Sequence, residues 1–158
     1  MLRTLPSFAL MTLVLAGCQT VHGDCEEDPR AAQAERTIEL ELAGEPVEAE
    51  VADTPELRDR PWAFRRCELE STVIVPEATT VGPYPIRLCD VQTEVDLAFV
   101  LDDDIVEAVR FAPPCEQACD QCPVYGEGQP QVDAVVMLVA DRVSFFSGDT
   151  VLGLDQIQ

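Results

Sequence analysis

Three cysteines lie close together late in the chain, at Cys115, Cys119 and Cys122, with the spacing C-x3-C-x2-C. Three kinds of chemistry are compatible with this spacing: an iron–sulfur cluster, a zinc site, or a set of disulfides. Thiolate ligands favour a reducing compartment, whereas disulfides form in exported proteins. The interpretation therefore depends on where the protein is located, and the N-terminal residues bear on that question.

The N-terminus has the pattern of an exported, lipid-modified protein. Arg3 precedes an apolar run from Phe8 to Ala16, which is too short to span a bilayer. The run ends in Leu-Ala-Gly-Cys at residues 15–18, which resembles the lipobox of bacterial lipoproteins. This resemblance implies that Cys18 carries the lipid and that residues 1–17 are removed. The alternative is an ordinary secretory signal with a chance cysteine.

Lipidation predicts a location in the bacterial cell envelope. Acyl chains on Cys18 would hold the protein to a membrane, because each buried methylene contributes about 0.8 kcal/mol. Gln19 follows the cysteine, and by the sorting rule of some Gram-negative lipoproteins this indicates the outer membrane, on its periplasmic or surface face.

The charge of the mature chain restricts the kinds of partner that it can bind. Without residues 1–17 the chain has 141 residues and a formal charge of −21, because all 30 acidic residues remain against nine arginines. Such a surface repels nucleic acid and anionic lipid head groups. We therefore expect contact with the membrane through the lipid, a protein of the envelope as the candidate partner, and no nucleic acid.

Residues that commonly carry catalysis are scarce. The chain has no lysine, and its single histidine, His22, lies four residues after the expected lipid site. These facts argue against Schiff-base, P-loop and Ser-His-Asp chemistry. We expect no catalytic residue, no metal ion and no cofactor.

Six cysteines remain once Cys18 is acylated, and an even number in an exported domain predicts disulfides. Six cysteines allow 15 pairings. The favoured set joins Cys115 to Cys122 and Cys67 to Cys89, and leaves Cys25 with Cys119. The alternative is a thiol-redox or metal-binding loop that uses Cys115, Cys119 and Cys122.

The hydrophobic pattern indicates a mostly β domain over residues 37–158, preceded by a tether at 18–36 with a possible short helix from Asp28. Apolar and acidic residues alternate over 38–42 and 47–51, which predicts a hairpin. Thr54-Pro55 is typical of a helix start. Further strands are expected at 72–75, 95–101, 105–111, 132–140 and 143–146, with turns at 102–104 and 148–149. This spacing favours a compact antiparallel β-sandwich or barrel, of jelly-roll type, with one or two short helices.

Three phrases, "VEAEVADTPELRDRPWAFR" (47–65), "VDLAFVLDDDIVEAVRFAPPC" (95–115) and "CPVYGEGQP" (122–130), resemble the domain of unknown function 192 family. The resemblance implies a barrel-like or jelly-roll-like β fold with small helices, and no established biochemical role. It also implies that Cys115 and Cys122 belong together and that Cys119 is an additional cysteine. Cys89 takes the place of the family's lysine.

These observations predict a lipid-anchored, disulfide-stabilised, acidic lipoprotein of the cell envelope. We expect it to act as a non-catalytic binding or interaction module.

Overall fold

The computed structural model describes residues 28–67, 70–77, 82–128 and 131–157. The expected signal peptide and most of the tether lie outside these ranges. Seven strands, one helix and two 3-10 turns (Cys119–Gln121 and Leu154–Ile157) lie within them. In chain order these are β1 (Thr37–Leu42), β2 (Glu45–Ala52), α1 (Pro55–Asp59), β3 (Ser71–Ile74), β4 (Val95–Leu101), β5 (Asp104–Ala112), β6 (Ala134–Val139) and β7 (Val151–Leu152).

The strands form one sheet in the order β5-β4-β6-β3-β2-β1-β7. A bridge between Asp104 and Thr150 brings its two edges together, so the sheet is nearly closed into a barrel. The expected mostly β, barrel-like fold is confirmed. It differs from a purely antiparallel sheet at one place, because β2 and β3 pair in parallel. The connection between them is long enough for the crossover that parallel strands require.

Local sequence signals explain the two hairpins. In β1 the apolar side chains at 38, 40 and 42 are buried and the glutamates between them are exposed. Ala43 and Gly44 then turn the chain with positive φ, the backbone that two-residue hairpin loops need. Asp102 and Asp103 do the same between β4 and β5. The prediction that the aspartate run is a hairpin turn is therefore confirmed.

Strand β4 is buried on both faces, and this divides the core into two layers. Ala98 and Val100 point into the barrel, where they join a cluster with Phe145. Leu97 and Phe99 point outwards and pack in a second cluster with residues that follow α1 and with the segment 86–91. The outer layer therefore depends on chain that has little regular structure.

The end of β2 leads to a capped helix, as expected. The Thr54 side chain accepts a hydrogen bond from the Leu57 amide, and Pro55 opens α1. Trp62 follows and is buried, with its Nε1 donating to Thr72 Oγ1 at 2.6 Å. Trp62 therefore belongs to the core rather than to a binding groove.

Two expected elements are absent from the described residues. The chain turns at Pro29–Arg30 instead of forming a helix there, because the Asp28 carboxylate accepts hydrogen bonds from both the backbone and side chain of Arg30. The segment 143–146 is not a strand either. Phe145 is buried, and its carbonyl accepts a hydrogen bond from Arg110 Nη1 at 3.3 Å rather than from a neighbouring strand.

Candidate functional site

Four cysteines meet beside the outer core layer and form two disulfides. Cys115 is joined to Cys122, so that predicted pair is confirmed. Cys89 is joined to Cys119, so the predicted pairs Cys67–Cys89 and Cys25–Cys119 are wrong. The reason is a backbone bridge between Cys89 and Cys115, which places Cys89 next to the cysteine loop rather than next to Cys67.

Cys67 is buried and is itself disulfide-bonded. Cys18 and Cys25 lie outside the described residues. All five described cysteines are therefore oxidised, including the three of the C-x3-C-x2-C loop. In this state their sulfurs are not thiolates, which zinc and iron–sulfur clusters require. No group of three or more metal-ligating side chains occurs within the described ranges.

A surface cleft of about 400 Å³ opens beside the Cys89–Cys119 disulfide. We call it the disulfide cleft; its lining includes Arg58, Tyr84, Arg87, Cys89, Cys119 and Glu127. Cys89 is buried in its wall, whereas Cys119 is exposed. The volume falls in the lower part of the range of small-ligand sites.

Backbone contacts position the walls of the disulfide cleft. Ile86 and Tyr125 exchange two backbone hydrogen bonds of 3.0 Å, which join the segment 82–91 to the cysteine loop. Arg87 Nη1 donates to the Cys122 carbonyl at 2.7 Å and crosses the same junction. The two disulfides and these hydrogen bonds hold in place a region that contains almost no strand.

The arginines of the cleft are already engaged by the protein. Arg58 Nε donates to the Val75 carbonyl at 2.7 Å, and its Nη1 pairs with Glu77 at 3.1 Å. Tyr84 Oη donates to the Arg58 carbonyl at 3.5 Å. Because the protein itself engages both guanidinium groups, and because the carboxylates of Asp59 and Glu127 also line the cleft, its surface is not an anion trap.

The tyrosines near the cleft are neutral at ordinary pH. Burial raises the pKa of Tyr84, which outweighs the lowering by the nearby Arg58 charge. Burial also raises the pKa of Tyr125. Both phenols therefore act as hydrogen-bond donors and apolar surface rather than as bases. Sequence reasoning missed Tyr84, although its place between Pro83 and Pro85 marks an aromatic side chain on a restricted backbone.

Within the residues that the structure describes, no helix is long and apolar enough to cross a bilayer.

Together these features define the class of protein as a small, nearly closed β-barrel domain with a disulfide-lined cleft. No protein-family model and no curated protein matches the chain. A solved structure of a candidate transcription regulator from Sinorhizobium meliloti 1021 superposes with a TM-score of 0.61 at 19% identity, over 78% of this chain and 98% of that one. A protein of unknown function from Novosphingobium aromaticivorans DSM 12444 gives 0.60 at 17% identity, over 81% and 91%. At such identities the likeness shows the fold alone.

Proposed function

We propose that the chain is an acidic lipoprotein of the bacterial cell envelope, anchored through a lipid on Cys18, whose disulfide-stapled β domain binds a partner without catalysis. The observation that carries the proposal is the oxidation of all five described cysteines, which is typical of a domain exported from the cytosol. The lipobox-like residues 15–18 supply the anchor.

The disulfide cleft is the candidate contact surface. Its cross-linked walls are formed before a partner arrives, so binding would cost little ordering of the chain. Tyr84 supplies a rigid aromatic contact of the kind that dominates protein interfaces. The charge of −21 on the mature chain favours a partner with a basic surface around its contact residues.

The anchor is tested by metabolic labelling with an alkyne fatty acid in a Gram-negative host. We expect label on the wild-type protein and on Cys25→Ser, and none on Cys18→Ser, which should also leave the membrane fraction. Label that persists in Cys18→Ser, or is missing from the wild type, would contradict lipidation at this residue.

The binding role is tested by crosslinking in intact envelopes, followed by capture under denaturing conditions. A partner recovered with wild type and with Leu152→Ala, but reduced at least tenfold with Tyr84→Ala, would support the disulfide cleft. Leu152 is a suitable control because it is 47% exposed and lies outside the cleft lining. Equal recovery with both variants would remove the cleft from the proposal.

A second candidate is thiol–disulfide exchange, favoured by the exposure of Cys119 in the cleft. A thiolate of a partner dithiol protein would attack the Cys119 sulfur and release Cys89 as a thiolate. The second partner thiol would then resolve the mixed disulfide, leaving the partner oxidised and this pair reduced by two electrons. The reverse step tests this candidate: in Cys89→Ser the Cys119 thiolate should attack the disulfide of the oxidised partner and stay joined to it as a reducible adduct, because Cys89 is no longer there to release the partner. Cys119→Ser should give no such adduct, and no adduct with either variant would exclude exchange.

A further inference from the structure

A second cleft adjoins the disulfide cleft. It has a volume of about 350 Å³, and it is lined by Pro55, Arg58, Asp59, Glu77 and Tyr84. Arg58, Asp59 and Tyr84 also line the disulfide cleft, so the two clefts share a wall. Within this wall Tyr84 Oη donates to the Arg58 carbonyl. The clefts therefore lie on either side of the Tyr84 side chain, and we call them together the tyrosine groove.

Two prolines fix the backbone that presents Tyr84. Pro83 and Pro85 flank this residue, and the ring of each proline locks its own φ. Because the residue before a proline is restricted to extended backbone, Pro85 also restricts Tyr84 itself. Two hydrogen bonds between Ile86 and Tyr125 then attach the segment to the cysteine loop. The aromatic ring is thus held in place before a ligand binds, which lowers the entropic cost of binding.

The walls of the tyrosine groove offer few backbone donors. The lining includes four prolines, at positions 55, 61, 83 and 85, and a proline has no amide hydrogen. No residue of the lining lies in a strand, so a ligand cannot extend the sheet at this place. The groove suits a ligand whose backbone needs no hydrogen-bonded partner. Polyproline II is such a conformation, because its backbone is fully solvated.

The carboxylates of the groove favour a cationic ligand. Asp59 and Glu127 are exposed, and no arginine of the described residues forms an ion pair with either of them. The two guanidinium groups of the groove already bind other groups of the protein. Burial is the main cause of the raised pKa of Tyr84, and the charges of Asp59 and Glu77 add to it. Both of these carboxylates therefore lie within electrostatic reach of the phenol.

From these features we propose that the tyrosine groove binds an extended, proline-containing peptide segment that carries lysine or arginine beside its prolines. This inference rests on the proposed role of the disulfide cleft as a contact surface, and it names the class of partner. Prolines of the ligand pack on the Tyr84 ring, and its cationic side chains pair with Asp59 and Glu127. A polyproline II segment is already ordered when free, so its binding costs little conformational entropy. A second copy of this chain is a poor occupant, because two chains of formal charge −20 repel each other.

The class of ligand is tested with an array of synthetic octapeptides, probed with the full chain purified in a neutral detergent. Every peptide has two prolines one polyproline II turn apart, and its terminal residues are either arginine or glutamate. A matched array replaces the prolines with glycine and serine. We expect binding to concentrate among the proline peptides with arginine ends, which should bind about tenfold more tightly than their glutamate counterparts. Equal binding of arginine and glutamate peptides, equal binding without prolines, or no bound peptide would overturn the proposal.

Matched variants assign the binding to the groove. In anisotropy titrations of the tightest peptide, Tyr84→Ala should weaken binding about tenfold, whereas Tyr84→Phe, which keeps the ring, should stay within about twofold of wild type. Asp59→Asn combined with Glu127→Gln should weaken binding about fivefold. Glu41→Gln combined with Glu45→Gln removes the same charge from exposed positions of the β1–β2 hairpin and should leave binding unchanged. Equal losses in the two double variants would overturn the assignment, and these variants change only exposed side chains, so their result stands even if Tyr84→Ala fails to fold.

Failure of this proposal and failure of the proposed function are distinguishable. Peptide binding by the purified chain requires neither a lipid on Cys18 nor a native partner, so loss of the anchor leaves this test intact. A partner in envelopes that depends on Tyr84, together with an array in which no proline peptide binds, would keep the contact surface and overturn the peptide class. Binding to isolated peptidoglycan that is lost in Tyr84→Ala, with no peptide bound, would assign the groove to a glycan and overturn the peptide class as well.

Discussion

Substitution of Gly126 by alanine should destabilise the domain far more than the same change at another turn glycine. Gly126 has φ of +80°, and a Cβ added there would lie 2.2 Å from Phe99 Cε1. The Phe99 ring is fully buried in the outer core layer and cannot move aside. Left-handed backbone costs about 1–2 kcal/mol for a residue with a Cβ, and overpacking adds about 1–3 kcal/mol. We expect a loss of about 3 kcal/mol.

Gly148 provides the matched control. Its φ is +97°, but nothing lies within 4 Å of an added Cβ, so Gly148→Ala should cost about 1 kcal/mol. Urea unfolding followed by the fluorescence of the single, buried Trp62 measures both variants. With a slope of about 2 kcal/mol/M, the midpoints should fall by about 1.5 M and 0.5 M. Equal shifts would refute the claim that the Phe99 ring blocks this position.

Three further changes test other parts of the structure. Asp96→Asn should lower the free energy of unfolding in urea by about 2–4 kcal/mol, because the fully buried carboxylate accepts two backbone hydrogen bonds and pairs with an arginine. The control is Asp141→Asn, on a side chain 83% exposed, which should cost under about 0.5 kcal/mol. Replacing both Cys89 and Cys119 by serine opens a loop of 30 residues and should cost about 3.6 kcal/mol by the chain-entropy relation, measured in the same assay. Burial raises the pKa of Tyr84 above the ordinary 10.0, so this tyrosine ionises at a lower pH in the unfolded chain than in the folded one. Its contribution to the free energy of unfolding is therefore complete below pH 10 and is lost as the pH rises through the folded-state pKa. Ultraviolet titration of the phenol and alkaline unfolding should follow this loss.

The parts of the fold that depend on local sequence could be predicted. The β1–β2 hairpin follows from strict alternation and a turn glycine, and α1 follows from Thr54-Pro55. The prediction of a strand at 143–146 was wrong because hydrophobic periodicity indicates which side chains are buried, not whether their backbone pairs with another strand. Phe145 is buried there, but its carbonyl is satisfied by the Arg110 side chain, a contact that no local pattern reveals.

The candidate site could be predicted only in part, because its geometry comes from long-range contacts. The short Cys115–Cys122 loop was correctly paired, whereas the partner of Cys89 depends on its backbone bridge to Cys115. Nothing in the spacing of the cysteines encodes that bridge. The parallel pairing of β2 with β3 could not be predicted either, because it too is a long-range contact.

The position of the disulfides explains how a region with few strands can form a cleft. The barrel interior is held by strand ladders, and the two fully described disulfides are not in it. They lie where segments 82–91 and 113–128 cover the outer face of β4, and these segments have only isolated bridges and one 3-10 turn. Covalent links there replace the cooperative hydrogen bonds that a sheet would supply, by restricting the unfolded chain. The same links fix the walls around Tyr84 before any partner binds, so stabilisation of the outer layer and preorganisation of the disulfide cleft have a single cause.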